Sequence, residues 1–207
     1  AGTNLIANGD FASATAFNSG FGTKLTGADY LANTSNYAVQ DTTTWLSVVN
    51  TTSSTSPASY TGGTWSKSFV NSTGRLATMT GNMLVGNMVG SGTTWSNTVN
   101  VVAGKTYQFS FEYNVNFNTD SGSTSTKGLR VFIDGMAIDV VNTGIETGRF
   151  VATYTATTTR AINLSTFSDN TRSISPNNAG DYVLDNFTFA QTPPASDNSL
   201  VAGSAAP

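Results

Sequence analysis

The fold class follows from residues 107–113, which read Tyr107-Gln108-Phe109-Ser110-Phe111-Glu112-Tyr113. Aromatic residues alternate with polar ones along this stretch. Because successive side chains of a β-strand point to opposite faces, the rings would share one face and the polar groups the other. This pattern is typical of a strand that covers the core of a β-sandwich with only one of its faces.

Segments with the same period of two, rich in β-branched and aromatic residues, recur on both sides of this stretch. The predicted strands are Asn4–Ala7, Thr44–Asn50, Thr64–Val70, Arg75–Met79, Asn82–Val85, Thr94–Val102, Thr106–Asn116, Leu129–Ile133, Met136–Val141, Gly148–Thr155, Arg160–Phe167 and Tyr182–Phe189. Val102-Ala103-Gly104-Lys105 is a predicted turn between two of them, and Ile133-Asp134-Gly135-Met136 contains the Asp-Gly pair favoured in tight hairpins. We predict an all-β sandwich domain over residues 1–190 and a Pro/Ser/Ala-rich tail over residues 191–207.

The composition excludes several kinds of chemistry. The 207-residue chain contains no Cys and no His, which excludes Ser-His and Cys-His nucleophiles, His general bases and zinc sites built on thiolates or imidazoles. Only 10% of the residues are charged, where about a quarter is usual, and Ser, Thr and Asn make up more than a third. Nine cationic residues and a net charge of -3 provide no basic patch for nucleic acid.

The same composition favours an exported protein. Its charge is low, and hydroxyl and amide side chains are abundant. The sequence begins Ala1-Gly2-Thr3, as a mature chain would after removal of a signal peptide. No apolar run approaches the roughly 18 residues that a membrane span needs. We therefore expect a secreted protein, extracellular or at the cell surface, without a membrane span.

Five segments resemble one family in the expected order. They are Asn4-Leu5-Ile6-Ala7-Asn8-Gly9-Asp10-Phe11, Thr80-Gly81-Asn82-Met83-Leu84-Val85, Thr94-Trp95-Ser96-Asn97-Thr98-Val99-Asn100-Val101, Ala103-Gly104-Lys105-Thr106-Tyr107-Gln108-Phe109-Ser110-Phe111 and Gly180-Asp181-Tyr182-Val183-Leu184-Asp185-Asn186-Phe187-Thr188-Phe189. They are similar to the first, central and closing strands of secreted bacterial carbohydrate-binding-module-like jelly-roll proteins, some of which bear a C-terminal Pro-Glu-Pro sorting signal. The chain ends at Ala205-Ala206-Pro207, where such a signal could have been cut. The resemblance implies a single jelly-roll-like sandwich of two antiparallel sheets.

The resemblance also implies a structural calcium ion, held by an acidic residue near the first strand and an Asp of the closing strand. Asp185 matches the closing-strand position, but Ala12 stands where the other acid is often found. Asp10 is the candidate replacement, and Asp181 lies close to Asp185 in the sequence. Calcium takes six to eight oxygens, so few carboxylates can suffice when carbonyls contribute. The alternative is that these Asp residues cap turns at the rim of the sandwich.

Aromatic residues are the candidates for glycan binding, because a sugar ring stacks on a flat, exposed aromatic ring. Trp65 and Tyr60 lie close to a loop-like sequence that contains Gly62 and Gly63. Trp95 is the third candidate, although its strand phase favours packing at the edge of the core. Trp45, among Leu and Val residues, is also predicted to be a core residue.

No pair of acids suggests catalysis. Glycosidases need two carboxylates, and the only glutamates are Glu112 and Glu146. Glu112 lies on the polar side of its strand, and Glu146 lies in a predicted turn. We interpret both as surface carboxylates and expect no enzyme activity.

Assembly with copies of itself is the favoured function. A terminal segment can add as a strand to the sheet edge of a neighbouring copy, and such head-to-tail contacts propagate into filaments. Leu5 and Ile6 at one end, or Leu200 and Val201 at the other, are the candidate assembly residues. The prediction is a non-catalytic subunit of a bacterial surface filament or extracellular matrix. Two alternatives remain open: that the first segment pairs within its own domain, and that the protein is a glycan-binding module for extracellular polysaccharide.

Overall fold

The computed structural model describes residues 2–13, 23–24, 36–41, 78–88, 91–116, 126–141, 145–170 and 180–193. All regular elements in these ranges are strands. They are β1 (Thr23–Lys24), β2 (Asn36–Asp41), β3 (Asn82–Met88), β4 (Ser91–Val101), β5 (Thr106–Asn116), β6 (Thr126–Ile133), β7 (Met136–Val141), β8 (Ile145–Thr155), β9 (Arg160–Asn170) and β10 (Gly180–Gln191). Within these ranges, no helix is long and apolar enough to cross a membrane.

The strands form the two sheets of a jelly-roll-like sandwich. The larger sheet has the order β1-β2-β3-β10-β5-β8, and the smaller sheet has the order β4-β9-β6-β7. Neighbouring strands are antiparallel, except that β1 pairs with β2 in parallel. The predicted all-β sandwich is confirmed. Strands adjacent in sequence often lie in different sheets, so the centre of the larger sheet joins β5 to the closing strand β10.

Most predicted strands are present, with bounds that differ by a few residues. β5 and β7 have the predicted bounds. The predicted strand Asn4–Ala7 is wrong, because Asn4 and Leu5 are irregular, Ile6 is in a bend and Ala7 is in a turn. Thr44–Asn50 and Thr64–Val70 lie outside the described residues, as does most of Arg75–Met79, whose last two residues are not in a strand. β1 and β2 were not predicted.

The core lies between the sheets and is largely aromatic. Phe109 and Phe111 of β5 are fully buried, as the alternation in residues 107–113 predicts. Trp95 of β4 stacks on Phe187 of β10, with ring centroids 3.8 Å apart and planes 13° apart. Aromatic pairs add about 0.5–1.5 kcal/mol each to the free energy of area burial. These contacts therefore hold the two sheets together and fix the position of β10.

The Asp134-Gly135 hairpin is confirmed. Both residues have positive φ, 55° and 77°, as a type I′ turn requires. The turn joins Ile133 to Met136, which face each other at the end of β6 and β7.

Candidate functional site

A β-bulge in β10 interrupts the centre of the larger sheet. The pairing of β10 with β5 shifts between Asp185 and Thr188. Within the bulge, Phe187 enters the core, and Asn186 has a φ of 53°, which is uncommon for a residue with a side chain. Bulges redirect side chains and are frequent beside functional sites. Here the bulge places the Asn186 amide so that it donates to the Thr78 carbonyl and to Glu112, each at 2.8 Å.

The N-terminal segment lies along β10 and is bonded to it. The Leu5 N–H donates to the Phe189 carbonyl at 2.8 Å, and the Phe187 N–H donates to the Gly9 carbonyl at 2.9 Å. A Cβ on Gly9 would lie 2.0 Å from the Phe187 carbonyl oxygen, so only glycine permits this approach. Asn8 and Phe11 both have positive φ. Residues 2–13 are therefore shaped to fit against the bulge.

Asp185 and Glu112 form a buried carboxylate pair beside the bulge. They are directly opposite each other in the β10–β5 register. Glu112 accepts hydrogen bonds from Thr78 Oγ1 at 2.6 Å and from Asn186 Nδ2 at 2.8 Å. Asp185 Oδ1 accepts from the Asn186 N–H at 2.8 Å, whereas Asp185 Oδ2 is buried without a partner.

Burial raises the pKa of Asp185 to about 8, because the charged form loses its hydration. The bond from the Asn186 N–H acts in the opposite direction, and the negative charges of Glu112 and Asp10 raise the pKa further. The free acid and a carboxylate paired with a cation are the two states that this environment favours.

Asp10 and Asp181, the other two predicted calcium ligands, are placed differently. Asp10 is exposed, and its Oδ1 accepts from the Ala12 N–H at 3.2 Å, so it caps its own turn. Asp10 is nevertheless close enough for its charge to act on Asp185. Asp181 lies four residues before Asp185 in an extended strand, which separates their Cα atoms by roughly 13 Å. Including Asp181 in one site with Asp185 was therefore wrong, since closeness in sequence is not closeness in a strand.

Two clefts of about 310 Å³ and 400 Å³ lie next to Asn186, and neither is lined by Asp185 or Glu112. Both are lined by Asp10 and Asn186, and Asn82 lines the larger one. The amide N–H groups of these asparagines donate inward: Asn82 to the Phe11 carbonyl, and Asn186 to Thr78 and Glu112. The side-chain carbonyl oxygens of Asn82 and Asn186 are the groups that these bonds leave for a ligand.

Those oxygens have the chemistry that calcium prefers, and the unpartnered Asp185 Oδ2 fits such an ion. Within the described ranges, however, no three acidic side chains converge on one point that could hold a metal. Any ion would therefore depend on amide or backbone oxygens as well.

The outer face of β5, β8 and β10, which we call the polar face, is the second feature. Cross-strand pairs share a face, so Asn114 stands beside Thr147, and Glu112 beside Arg149. Asn114 is only 1% exposed. Neither atom of its amide has a hydrogen-bond partner, and neither does Thr147 Oγ1. Seven buried side-chain atoms in the described part of the chain lack partners, and four of them lie on this face, Asp185 Oδ2 included.

Glu112 was predicted to be a surface carboxylate, and that is wrong. It is 7% exposed and is bonded through both oxygens, because the polar face is itself buried near its centre. Glu146 lies in β8 rather than in a turn. Sequence reasoning missed Asn114 and Asn186. The only signal for Asn114 was that it continues the polar phase of Ser110 and Glu112.

Among the predicted glycan-binding residues, Trp95 is fully buried between the sheets, so its ring is not available for stacking a sugar. The interpretation of Trp95 as a packing residue is the correct one. Trp65, Tyr60 and Trp45 lie outside the described residues.

Of the predicted assembly residues, Ile6 is buried in the core of its own domain, and Leu5 is 40% exposed. Residues 2–13 are hydrogen-bonded to β10 of the same chain, so the structure shows this segment within its own domain and not exchanged with a neighbouring copy. Leu200 and Val201 lie outside the described residues.

No protein-family model matches the sequence, and no curated protein is significantly similar to it. Among solved structures, tailspike protein 4 of bacteriophage CBA120 has a TM-score of 0.49 at 12% identity, over 91% of this chain and 21% of that one. A cyclase from Fischerella sp. TAU in complex with 4-(1H-indol-3-yl)butan-2-one has a TM-score of 0.49 at 11% identity, over 92% of this chain and 98% of that one. The module TmCBM61 in complex with β-1,4-galactotriose has a TM-score of 0.45 at 12% identity, over 92% of this chain and 99% of that one. The chain thus spans about a fifth of the tailspike, and these likenesses concern the fold alone.

Proposed function

We propose that this chain is a non-catalytic, extracellular glycan-binding module that holds a sugar on its polar face. The carboxamide of Asn114 carries the proposal, since it is almost fully buried and neither its donor nor its acceptor atom has a partner. A buried polar group left unpaired costs about 1–3 kcal/mol. A ligand that pairs with this amide recovers that free energy on binding.

The hydrogen-bonding groups of the polar face suit sugar hydroxyls. Asn114 provides N–H donors and a carbonyl acceptor, and the hydroxyl of Thr147 beside it both donates and accepts. Neighbouring hydroxyls of a sugar ring offer the same mixture. Glu112 and Arg149 carry opposite charges and lie opposite each other on β5 and β8. Because these charges balance, this point of the polar face favours a neutral ligand.

The edge strand β8 provides the access. Arg149 is exposed and Val151 is 48% exposed, whereas Ser110 and Glu112 on β5 are buried. A sugar would therefore approach across β8 and reach Asn114 from that side. Arg149 already donates from Nη2 to Ser110 Oγ at 3.2 Å, which holds its guanidinium along the path.

The carboxylate pair is poorly placed for hydrolysis. A general acid must reach the glycosidic oxygen, but Asp185 is fully buried. Glu112 is engaged through both oxygens by Thr78 and Asn186. The raised pKa of Asp185 therefore reflects burial in the wall of the site rather than a poised catalyst.

A calcium ion beside this pair is the second part of the proposal. Asp185 would be its central ligand through the unpartnered Oδ2. Asp10, Asn82 and Asn186, which line the larger cleft, would contribute further oxygens. The ion would supply positive charge between carboxylates and would tie residues 2–13 to the bulge of β10. Its role would be structural, and self-assembly through the C-terminal tail stays a separate prediction.

Asn114→Ala tests the proposal in affinity gels that contain xylan, β-1,4-galactan or mixed-linkage β-glucan. We expect the wild type to be retarded by at least one polymer and the variant to lose about tenfold in affinity. Asn100→Ala on the exposed side of β4 is the matched control and should bind as the wild type does. The melting temperature of Asn114→Ala should stay the same or rise, because an unpaired buried amide is removed. Unchanged retardation of Asn114→Ala would refute the assignment of the site.

A further inference from the structure

The strand β8 ends the larger sheet with a long and regular edge. It pairs with β5 along its whole length, from Ile145 to Thr155, without a register shift. In the described part of the chain no strand lies on its other side. Edge strands are normally protected by lysine, proline, a bulge or short length, because their free N–H and C=O groups can pair with another chain. β8 contains no Lys or Pro, is not bulged, and is 11 residues long.

The two edges of the smaller sheet are built differently. The pairing of β4 with β9 shifts between Thr93 and Trp95, and the pairing of β7 with β6 shifts between Val131 and Phe132. Bulges of this kind twist an edge strand away from a regular ladder and hinder pairing with another chain. The contrast singles out β8 as the edge that is open to an added strand.

The outward backbone groups of β8 belong to its odd-numbered residues. Just after the strand, the Ala156 N–H donates to the Lys105 carbonyl at 2.9 Å, and the Ala156 carbonyl accepts from the same turn at 2.7 Å. Ala156 thus directs both of its backbone groups toward the β5 side. Because these groups alternate between the two sides of a strand, Arg149, Val151 and Thr153 direct theirs to the free edge.

Apolar side chains flank this edge on both faces of the sheet. Val151 is 48% exposed on the polar face, where it stands beside Ser110. On the opposite face, Ala152 and Tyr154 pack against the core but are only half-buried. A strand added beside β8 would remove these side chains from water, which is favourable.

We propose that the β8 strands of two copies of this chain pair antiparallel, with Val151 on the two-fold axis. In this register Val151 meets its counterpart, and Arg149 stands opposite Thr153 of the second copy. An axis through Arg149 would instead oppose two positive charges, and one through Phe150 would place each guanidinium on a valine. The contact is isologous, so it closes as a dimer and covers both free edges.

The same pairing makes the two polar faces continuous. Thr155 of the second copy stands beside Thr147, which is itself beside Asn114. The path across β8 toward Asn114 is therefore bordered by both copies. The interface does not rest on the proposed sugar binding, because it uses backbone groups and Val151. Asn114→Ala should leave the dimer intact.

A single introduced cysteine tests both the interface and its register, because the chain has no cysteine of its own. Cα atoms opposite each other in a hydrogen-bonded pair are about 5.5 Å apart, within the range of roughly 4.4–6.8 Å that a disulfide spans. Val151→Cys should therefore oxidise to a covalent dimer on non-reducing gels. Thr153→Cys is the matched control on the same edge, since its counterpart lies about 13 Å away along the strand and should not be joined.

Sedimentation velocity over a concentration series measures the dimer of the unmodified protein. We expect the wild type to show a monomer–dimer equilibrium. Val151→Lys should raise its dissociation constant by roughly tenfold or more, because two like charges would meet on the axis. Val102→Lys makes the same change at a side chain that is 49% exposed between β4 and β5, and it should alter the constant by less than about twofold.

The proposal is overturned by a wild type that stays monomeric throughout the concentration series. Equal crosslinking of Val151→Cys and Thr153→Cys would overturn it too, since collision of any exposed cysteine would then explain the product. Equal dissociation constants for Val151→Lys and Val102→Lys would have the same meaning. If Val151→Lys fails to fold, the comparison of the two cysteine variants decides the question, because those substitutions are small and lie on the free edge.

Discussion

Replacement of Asp185 by asparagine should make the protein more stable at alkaline pH when calcium is removed. The pKa of Asp185 is about 8 in the folded protein, whereas in the unfolded chain it has its ordinary value of 3.8. Between these values the native state binds more protons than the unfolded state, so the free energy of unfolding falls as the pH rises. The neutral carboxamide introduced by Asp185→Asn would mimic the protonated acid at every pH.

The magnitude follows from the shift. About four pH units correspond to roughly 5 kcal/mol at full value, at 1.36 kcal/mol for each unit. Relaxation and water around the charge reduce this considerably. We expect Asp185→Asn to be more stable than the wild type by about 2 kcal/mol at pH 8.5, by only about 0.5 kcal/mol at pH 5, and equal to it below about pH 4.

Urea unfolding in EDTA, followed by circular dichroism from pH 5 to pH 8.5, measures the difference. Asp134→Asn, which removes a carboxylate from the exposed hairpin, should keep the wild-type pH dependence. A wild-type stability that is flat over this range, or an Asp185→Asn protein that is the less stable one at pH 8.5, would refute the reasoning. Calcium added at 100 times its dissociation constant should stabilise the wild type by about 2.7 kcal/mol and Asp185→Asn by much less. No gain in the wild type would refute the calcium proposal and leave the pH prediction intact.

Two further changes test the packing that positions the site. Trp95→Ala removes a fully buried ring that stacks on Phe187, and it should lower the free energy of unfolding by about 3–5 kcal/mol in urea titrations; a loss below about 1 kcal/mol would contradict the role of this contact in joining the sheets. Gly9→Ala places a Cβ 2.0 Å from the Phe187 carbonyl oxygen and should cost about 1–3 kcal/mol by the same measurement. Gly81→Ala, whose added Cβ meets open space, has only the strain of its positive φ of 68° and should cost less; the reverse order would show that residues 2–13 are not fitted to the bulge.

Local pattern was enough to predict the strands that build the core. Alternation in residues 107–113 gives the strand and its buried face together, and the structure buries Phe109 and Phe111 as expected. The Asp134-Gly135 turn needs only two residues whose φ is positive. Both features depend on neighbours in the sequence, which is why they can be read from it.

The site depends on contacts between distant residues, which the sequence does not display. The same polar phase of β5 would occur whether its outer face were exposed or covered, so the burial of Glu112 could not be predicted from it. The pairing of Asn114 with Thr147 requires the register of β5 and β8. The bulge at Asn186 appears only once β10 is paired with β5. The error with Asp181 has the same origin, because spacing along a strand was taken for proximity.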